Sequence, residues 1–336
     1  MKSKHYIVLL IWLFISAGCR LIDDDLSVCG TESDYLINYR VRLVTEVHMA
    51  IDEKLSLDIE KPIADALKAW SDTIFSGNAH DLDMYFYSLD GTNELKHQFE
   101  EIINASQKSY TLTIPRQDYQ HLAVVNMLDN KNVTMMGEQY SNLMHVEQRP
   151  LDTLPSHPTA IYTARLPMHM NDSVDQSFDV NLYMISCAVA LVITQPITPI
   201  PPIRVVLSGT ATGFNVRDSV FTFAHPSLIG AERVMNRCYA MVALPSRDTV
   251  ASGMMPIKRQ TASAALWELK TYVTMPDGKV TETILSADTP LKAGTLEVVK
   301  VQLNDDGSLT PIQTTHIGAS VTLDWKEGGT HEVITG

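Results

Sequence analysis

A thiol at Cys19 and five Asp-(Ser/Thr)-aliphatic triplets are the side chains whose spacing points to chemistry, and in each case the chemistry is modification of the chain itself. Cys19 follows Ser16, Ala17 and Gly18. Small residues at those positions fit a narrow peptidase site, and the thiol behind them is a lipid acceptor. Lys2 and Lys4 precede ten unbroken apolar residues, 6–15. That run is about half of the ~20 residues a helix needs to cross a bilayer, and it fits the apolar core of a secretory leader. A lipobox more often carries Leu where this chain has Ser16. The expectation is a leader over 1–18 and acyl chains on Cys19, holding the rest of the chain to a membrane without spanning it. One acyl chain binds only marginally, whereas two or more hold firmly.

The triplets place Thr73, Thr153, Ser173, Ser219 and Thr249 directly after an aspartate and before an aliphatic residue. They recur more often than composition alone would give, and they resemble the periplasmic O-glycosylation acceptor of Bacteroidota. Asp-Ser and Asp-Thr are also ordinary turn formers beside strands. Three further cysteines, Cys29, Cys187 and Cys238, allow at most one internal disulfide, with the pairing open. Cys187 and Cys238 stand in apolar runs, where a buried free thiol is common, and the spacing suits no metal site.

Catalytic signatures are missing. There is no Gly-x-Ser-x-Gly elbow, no phosphate loop and no His-Glu-x-x-His pair. Residues 209–213 read GTATG and fit a link between strands better than a nucleophile turn. His48, His80, His97 and His121 fall in different elements, as surface or core histidines do. Asn304, Asp305, Asp306 and Gly307 offer oxygens to a cation but lack the EF-hand spacing. The expectation is a protein that is not an enzyme, with no cofactor and no metal. The formal charge of −13 becomes −15 once the leader takes Lys2 and Lys4 away. An acidic chain without a Lys/Arg cluster excludes nucleic acid as a partner.

The elements that carry these residues are mostly strands. Residues 35–49 alternate apolar and polar, the period of a half-buried strand. Residues 58–75 are the one helical stretch, with Pro62 in the first turn and Ile63, Leu67 and Trp70 on one face. Short strands then follow at near-regular spacing, with Asp-Gly turn signals at 90–91, 277–278 and 306–307. That pattern predicts an all-β chain of two tandem Greek-key β-sandwiches with one short helical insertion. The expected segments are a leader at 1–18, an acidic tether at 19–33 carrying Asp23, Asp24 and Asp25, and sandwiches at 34–171 and 172–336.

The segment 19–29 reads CRLIDDDLSVC. A lipid-bearing Cys, an Ile- and Asp-rich spacer with Asp-Leu, a second Cys and then a strand resemble the opening of the FimB-type fimbrial anchor family of Bacteroidales. Softer likenesses follow in order: 82–91 ending in Asp-Gly, 178–193 as the strand opening a second domain, and 323–333 with Asp324, Trp325, Gly328 and Gly329 as a closing segment. Gly30 stands where Pro is frequent, and the helical stretch is an addition. The resemblance implies transthyretin-like sandwiches in an outer-membrane lipoprotein at the cell surface, with fimbrial subunits as partners through strand complementation. It also implies that stalk subunits are trimmed by an Arg-specific protease and that an anchor must escape this, to keep its lipid. The competing reading is a surface lipoprotein that captures glycan or host protein through sandwich loops. Exposed aromatics would favour it, and Tyr85, Phe86 and Tyr87 of one strand are the candidates.

Overall fold

The structure is a computed structural model and describes residues 34–44, 47–57, 60–75, 81–102, 109–115, 117–170, 176–194, 200–248, 265–312 and 316–325. The chain opens with β1 (Asp34–Val44), α1 (Val47–Lys54) and α2 (Lys61–Phe75). Next come β2 (Asp81–Ser88), β3 (Leu95–Ile102), β4 (Ser109–Pro115), β5 (Tyr119–Val125), β6 (Val133–Met136), β7 (His145–Gln148), β8 (Leu154–Pro155) and β9 (Tyr162–Met168). Then follow β10 (Gln176–Met184), β11 (Cys187–Ile193), β12 (Ile203–Ser208), β13 (Gly213–Asn215), β14 (Val220–Thr222), β15 (Leu228–Gly230), β16 (Glu232–Met235) and β17 (Cys238–Ala243). The last are β18 (Trp267–Thr274), β19 (Val280–Ala287), β20 (Leu296–Leu303), β21 (Leu309–Pro311) and β22 (Ile317–Trp325).

These strands build two β-sandwiches. A seven-stranded sheet, in the order β3-β2-β5-β9-β10-β1-β4, faces a four-stranded sheet, β14-β13-β7-β6. A five-stranded sheet, β16-β17-β11-β20-β21, faces a six-stranded one, β22-β19-β18-β12-β15-β8. The fold is all-β, as the strand spacing predicts. The helical insertion is two helices: α1 occupies residues that alternation had assigned to the end of the first strand.

Period-two side-chain placement explains the layering. On β2, Tyr85 and Tyr87 face the four-stranded sheet with Val146 and Phe214. Leu82, Met84 and Phe86 point the other way, toward Ile63 and Leu67 of α2. On β11, Val189 and Leu191 face the six-stranded sheet with Leu207, Trp267 and Leu269. Ala188, Ala190 and Val192 point back toward the helices, joined by Ala240 of β17. The helices are therefore the filling between the two sandwiches, and small residues on β11 and β17 let them approach the five-stranded sheet. A central strand covered on both faces reads as a continuous apolar run, which is why all seven residues of β11 are buried.

α2 forms because Ile63, Ala64, Leu67, Ser71, Ile74 and Phe75 are buried at spacings of three and four, one apolar stripe on a 3.6-residue period. Pro62 is in its first turn, where a missing N–H costs nothing. Trp70 flanks the stripe and meets Phe75 edge-to-face at 6.2 Å. All three Asp-Gly pairs lie between paired strands. At Gly307 φ is +81°, the left-handed region that favours glycine, and an added Cβ would also push on the flexible Met275 Sδ at 2.7 Å. The two sandwiches also exchange segments. β8 pairs with β15 in the six-stranded sheet, and β13 pairs with β7 in the four-stranded one. The GTATG stretch, with Gly209 at φ +88°, is the link that carries the chain from β12 across to β13.

Candidate functional site: open strand edges and modified residues

Cys19, Cys29, Ser173 and Thr249 lie outside the described residues. Cys187 and Cys238 are buried free thiols. Burial pushes each thiol up to about 12. Cys238 sits opposite Val192 in the β11–β17 ladder, five residues along from Cys187. At ~3.3 Å per residue that separation is far beyond the ~7 Å limit for a disulfide. The two also face opposite ways, Cys187 toward the six-stranded sheet and Cys238 toward the helices. These two cysteines cannot pair with each other.

The described acceptor residues of the triplets are all exposed: Thr73, Thr153 and Ser219. Thr73 is on the outer side of α2 and donates its hydroxyl to Trp70 O at 2.7 Å. Thr153 stands just before β8. Ser219 is at the tip of the β13–β14 hairpin with φ +54°.

Among the described residues, no group of three or more His, Cys, Asp or Glu is arranged to hold a metal. The oxygens at 304–307 have another use. Asp306 accepts from Ser308 N at 2.9 Å and from Ser308 Oγ at 2.6 Å, and these bonds hold its carboxyl below the usual range. Asn304 donates to Ser308 Oγ and Thr310 Oγ1. The cluster is a turn that closes on itself. Buried His121 stacks on Phe86 at 4.5 Å with its Nδ1 3.0 Å from Tyr85 O, and burial pulls it down to about 4. Burial does the same to His157. Both are core residues held neutral.

What the body presents outward is sheet edges. The edge strands are β3 and β4, β16 and β21, β22 and β8, and β14 and β6. Natural sheets blunt such edges with charge, proline, bulges or shortness. β3 carries Lys96, Glu100 and Glu101. β16 carries Glu232 and Arg233 and a bulge. β21 and β8 are three and two residues long and end in proline. β14 and β6 have only three and four residues. Among the described residues, two edges have fewer of these devices: β4, uncharged through its seven residues though ending in Pro115, and β22, uncharged from Ile317 to Leu323 though its pairing with β19 turns irregular beyond Thr322.

Among the described residues, part of one sheet face is also left uncovered: the four-stranded sheet shields β2, β5 and the start of β9, and past it the seven-stranded sheet exposes Thr111 and Thr113 of β4 and Ser177, Asp179, Asn181 and Tyr183 of β10. The aromatics of β2 are not part of any such surface: Tyr85, Phe86 and Tyr87 are 3%, 0% and 0% exposed.

No protein-family model and no curated protein matches the chain. Solved structures with similar architecture include a candidate polysaccharide-binding protein of Bacteroides thetaiotaomicron, at 8% identity and TM-score 0.49, covering 84% of this chain and 99% of that one. The tip fimbrial protein Mfa3 of Porphyromonas gingivalis, with a C-terminal truncation, matches at 10% identity and TM-score 0.46 over 87% of this chain and 100% of that one. The fimbrial anchor protein Mfa2 of the same organism matches at 11% identity and TM-score 0.42 over 86% of this chain and 99% of that one. Values this low carry no assignment of role.

Proposed function

We propose that this chain is a lipid-held fimbrial subunit, an anchor or accessory piece, that binds a fibre subunit by strand addition. Two features support the reading: Cys19 behind a leader-like apolar stretch and, among the described residues, two strand edges with few blunting devices, β4 and β22. Unpaired strand edges recruit extended polypeptide through main-chain hydrogen bonds. Acyl chains on Cys19 would fix such a complex to the outer membrane, facing the cell surface. Among the described residues no helix is long and apolar enough to cross a membrane, so the lipid is the attachment this reading depends on. No catalysis, cofactor or nucleic acid enters it. Deleting the gene tests it: fibres should be shed into the medium, and fibres retained in normal amount on the deletant would overturn it.

Capture of glycan or host protein is the weaker alternative, since the β2 aromatics that would have favoured it are buried. The exposed positions of Thr73, Thr153 and Ser219 agree with glycosylation of the five triplets, Ser173 and Thr249 included. Replacing all five hydroxyl residues by Ala should increase gel mobility. An unmodified mass for the natural protein would end that part of the reading.

A further inference from the structure

Five of the ten large apolar side chains that the described residues expose sit on three neighbouring loops: Leu89, Met136, Tyr140, Leu143 and Val220, each between 42% and 54% exposed. Leu89 opens the β2–β3 turn, Met136 ends β6, Tyr140 and Leu143 lie in the β6–β7 loop, and Val220 starts β14. Hydrogen bonds tie these loops together. Ser141 N donates to Asn93 O at 2.9 Å, and Leu95 N to Gln139 O at 3.0 Å. Arg217 Nη1 donates to Asn93 Oδ1 at 3.0 Å, and Asn215 Nδ2 to Asn142 O at 3.1 Å. Asn93, at φ +60°, is thus the residue on which two loops meet the third. Leu143 lies against Gly137, where an added Cβ would come within 3.0 Å of Leu143 Cβ, and this keeps it beside Met136.

The chain enters the body at the same end. β2 stops at Ser88, opposite Tyr119 at the start of β5, and Tyr119 is opposite Met168 at the end of β9. Residues 116–118 join β5 to β4, and Pro115 at the end of β4 is opposite Asp34. Asp34, the first residue of β1, therefore lies at the end of the seven-stranded sheet from which Leu89 emerges. β2 and β1 are four strand spacings apart in that sheet, roughly 19 Å. Residues 20–33 separate Asp34 from the acceptor Cys19, a reach of at most about 50 Å. The end through which lipid on Cys19 would hold the body is the end that carries the exposed apolar loops.

Apolar side chains grouped at a surface and rimmed by polar ones mark a contact site, and charge narrows its occupant. Stretches 89–96, 136–144 and 215–220 carry Asp90, Glu94, Glu138 and Asp218 against Lys96 and Arg217. Two copies meeting here would bring like charges together. An uncharged lipid surface takes Leu, Met and Val among its acyl chains and Tyr at headgroup level. We propose that these three loops dip into the lipid surface that holds Cys19, so that the body is seated on the membrane as well as tied to it. The proposal rests on the lipid-held reading and gives the body an orientation. Each buried apolar group adds to the hold as further acyl methylenes do. Met136, His145, Asn215 and Val220 form one row across the four-stranded sheet, so a sugar on Ser219, beside Val220, falls at the edge of the seat, three strands from Met136.

The test uses the full-length lipoprotein, purified with its acyl chains and placed in phosphatidylcholine vesicles. A benzophenone amino acid at Leu143 should give a light-dependent adduct of phospholipid mass. One at Asp277, in the β18–β19 turn of the other sandwich, should not. Adding phosphatidylglycerol should lower the Leu143 yield, because acidic groups outnumber cations at the loops. Leu89→Asp with Met136→Asp alters only exposed side chains, so the melting temperature should hold while the lipid adduct at Leu143 falls roughly tenfold. In the protein's own cells the Leu143 adduct should again be lipid. An adduct only to protein or to a second copy, equal lipid adducts at Leu143 and Asp277, a yield raised by phosphatidylglycerol or untouched by the two aspartates, or no adduct would each overturn the proposal. An acylated Cys19 with no lipid adduct at Leu143 leaves the lipid-held reading standing and removes the seat. A Cys19 peptide without acyl mass overturns that reading itself.

Discussion

Lys300 Nζ lies 2.8 Å from Glu60 Oε1, and the two side chains are only 13% and 3% exposed. Lys300 belongs to β20, and its ammonium also donates to Lys54 O at the end of α1 at 3.3 Å. The other carboxylate oxygen of Glu60 accepts from Leu57 N at 3.4 Å. One cation therefore ties both helices to the five-stranded sheet, at the seam between the sandwiches. Breaking such a pair from one side leaves a buried charge uncompensated, at a cost of about 3–5 kcal/mol. Glu60→Ala or Lys300→Met should therefore lower stability by about 3 kcal/mol, measured by urea unfolding. Replacing both together, with Glu60→Leu and Lys300→Met, should recover most of the loss. A double variant as unstable as either single one would show that the pair itself, rather than the orphaned charge, matters.

Asp83 of β2 predicts a pH dependence. It is opposite Glu100 of β3, and its carboxyl is pushed up to about 7, first by burial and then by the charges of Asp81, Glu100 and Glu138. In the unfolded chain the same group titrates near ~3.9. Between those values the folded state keeps a proton that the unfolded state has lost. Stability from this residue therefore falls as pH rises from about 4 through about 7, and the penalty is complete above that. Asp83→Asn should stabilise the protein by about 1 kcal/mol at about pH 8, a figure reduced for the solvent that reaches this side chain, and leave it unchanged near pH 4. Equal effects at both pH values would remove the titration argument.

Much of this architecture is legible in the residues, and the gaps have physical causes. Asp-Gly at 90, 277 and 306 marks real turns because only the second residue must enter the left-handed region. The run 178–193 reads as one strand but is two, β10 and β11, in different sheets. No Gly, Pro or Asn marks the crossing: Ile185 and Ser186 there are buried, and Ser186 Oγ accepts from Ile161 N at 3.0 Å. α1 was hidden because the alternation of the strand runs on into it, with Val47 and Met49 at the same odd positions as Tyr39, Val41 and Leu43. The edges are harder still. β22 can be read as a strand, but whether it is covered depends on where the opposing sheet stops, which no local pattern in β22 encodes.

Cys187 and Cys238 predict a reactivity. Thiols pushed up to about 12 by burial hold almost no thiolate at neutral pH, and the thiolate is the nucleophile. Neither should be modified by N-ethylmaleimide in the folded protein, and both should be modified after unfolding in urea, as read by peptide mass. Labelling of Cys187 in the native state would place that strand at the surface and contradict the packing of β11.

Arginine placement predicts how the chain meets an Arg-specific protease. Arg40 sits in β1 between Asp179 of β10 and Ser109 of β4, and Arg42 is paired with Asn181 of β10. A protease must draw several residues out of a strand to cut, so cleavage here needs the seven-stranded sheet to open, and its rate follows the open population. Arg149 is exposed, but its N–H is held by Asn132 O at 2.8 Å and Pro150 follows it. On the proposed anchor reading, a body tied to a membrane through Cys19 holds a fibre only if none of these bonds is cut. Treating whole cells with an Arg-specific protease should therefore leave the chain uncut at Arg40, Arg42 and Arg149, while the urea-unfolded protein is cut after Arg40 and Arg42. Soluble fragments beginning at Val41, Leu43 or Pro150 from folded protein would show that the protease releases the body, and a released body cannot hold a fibre to the cell.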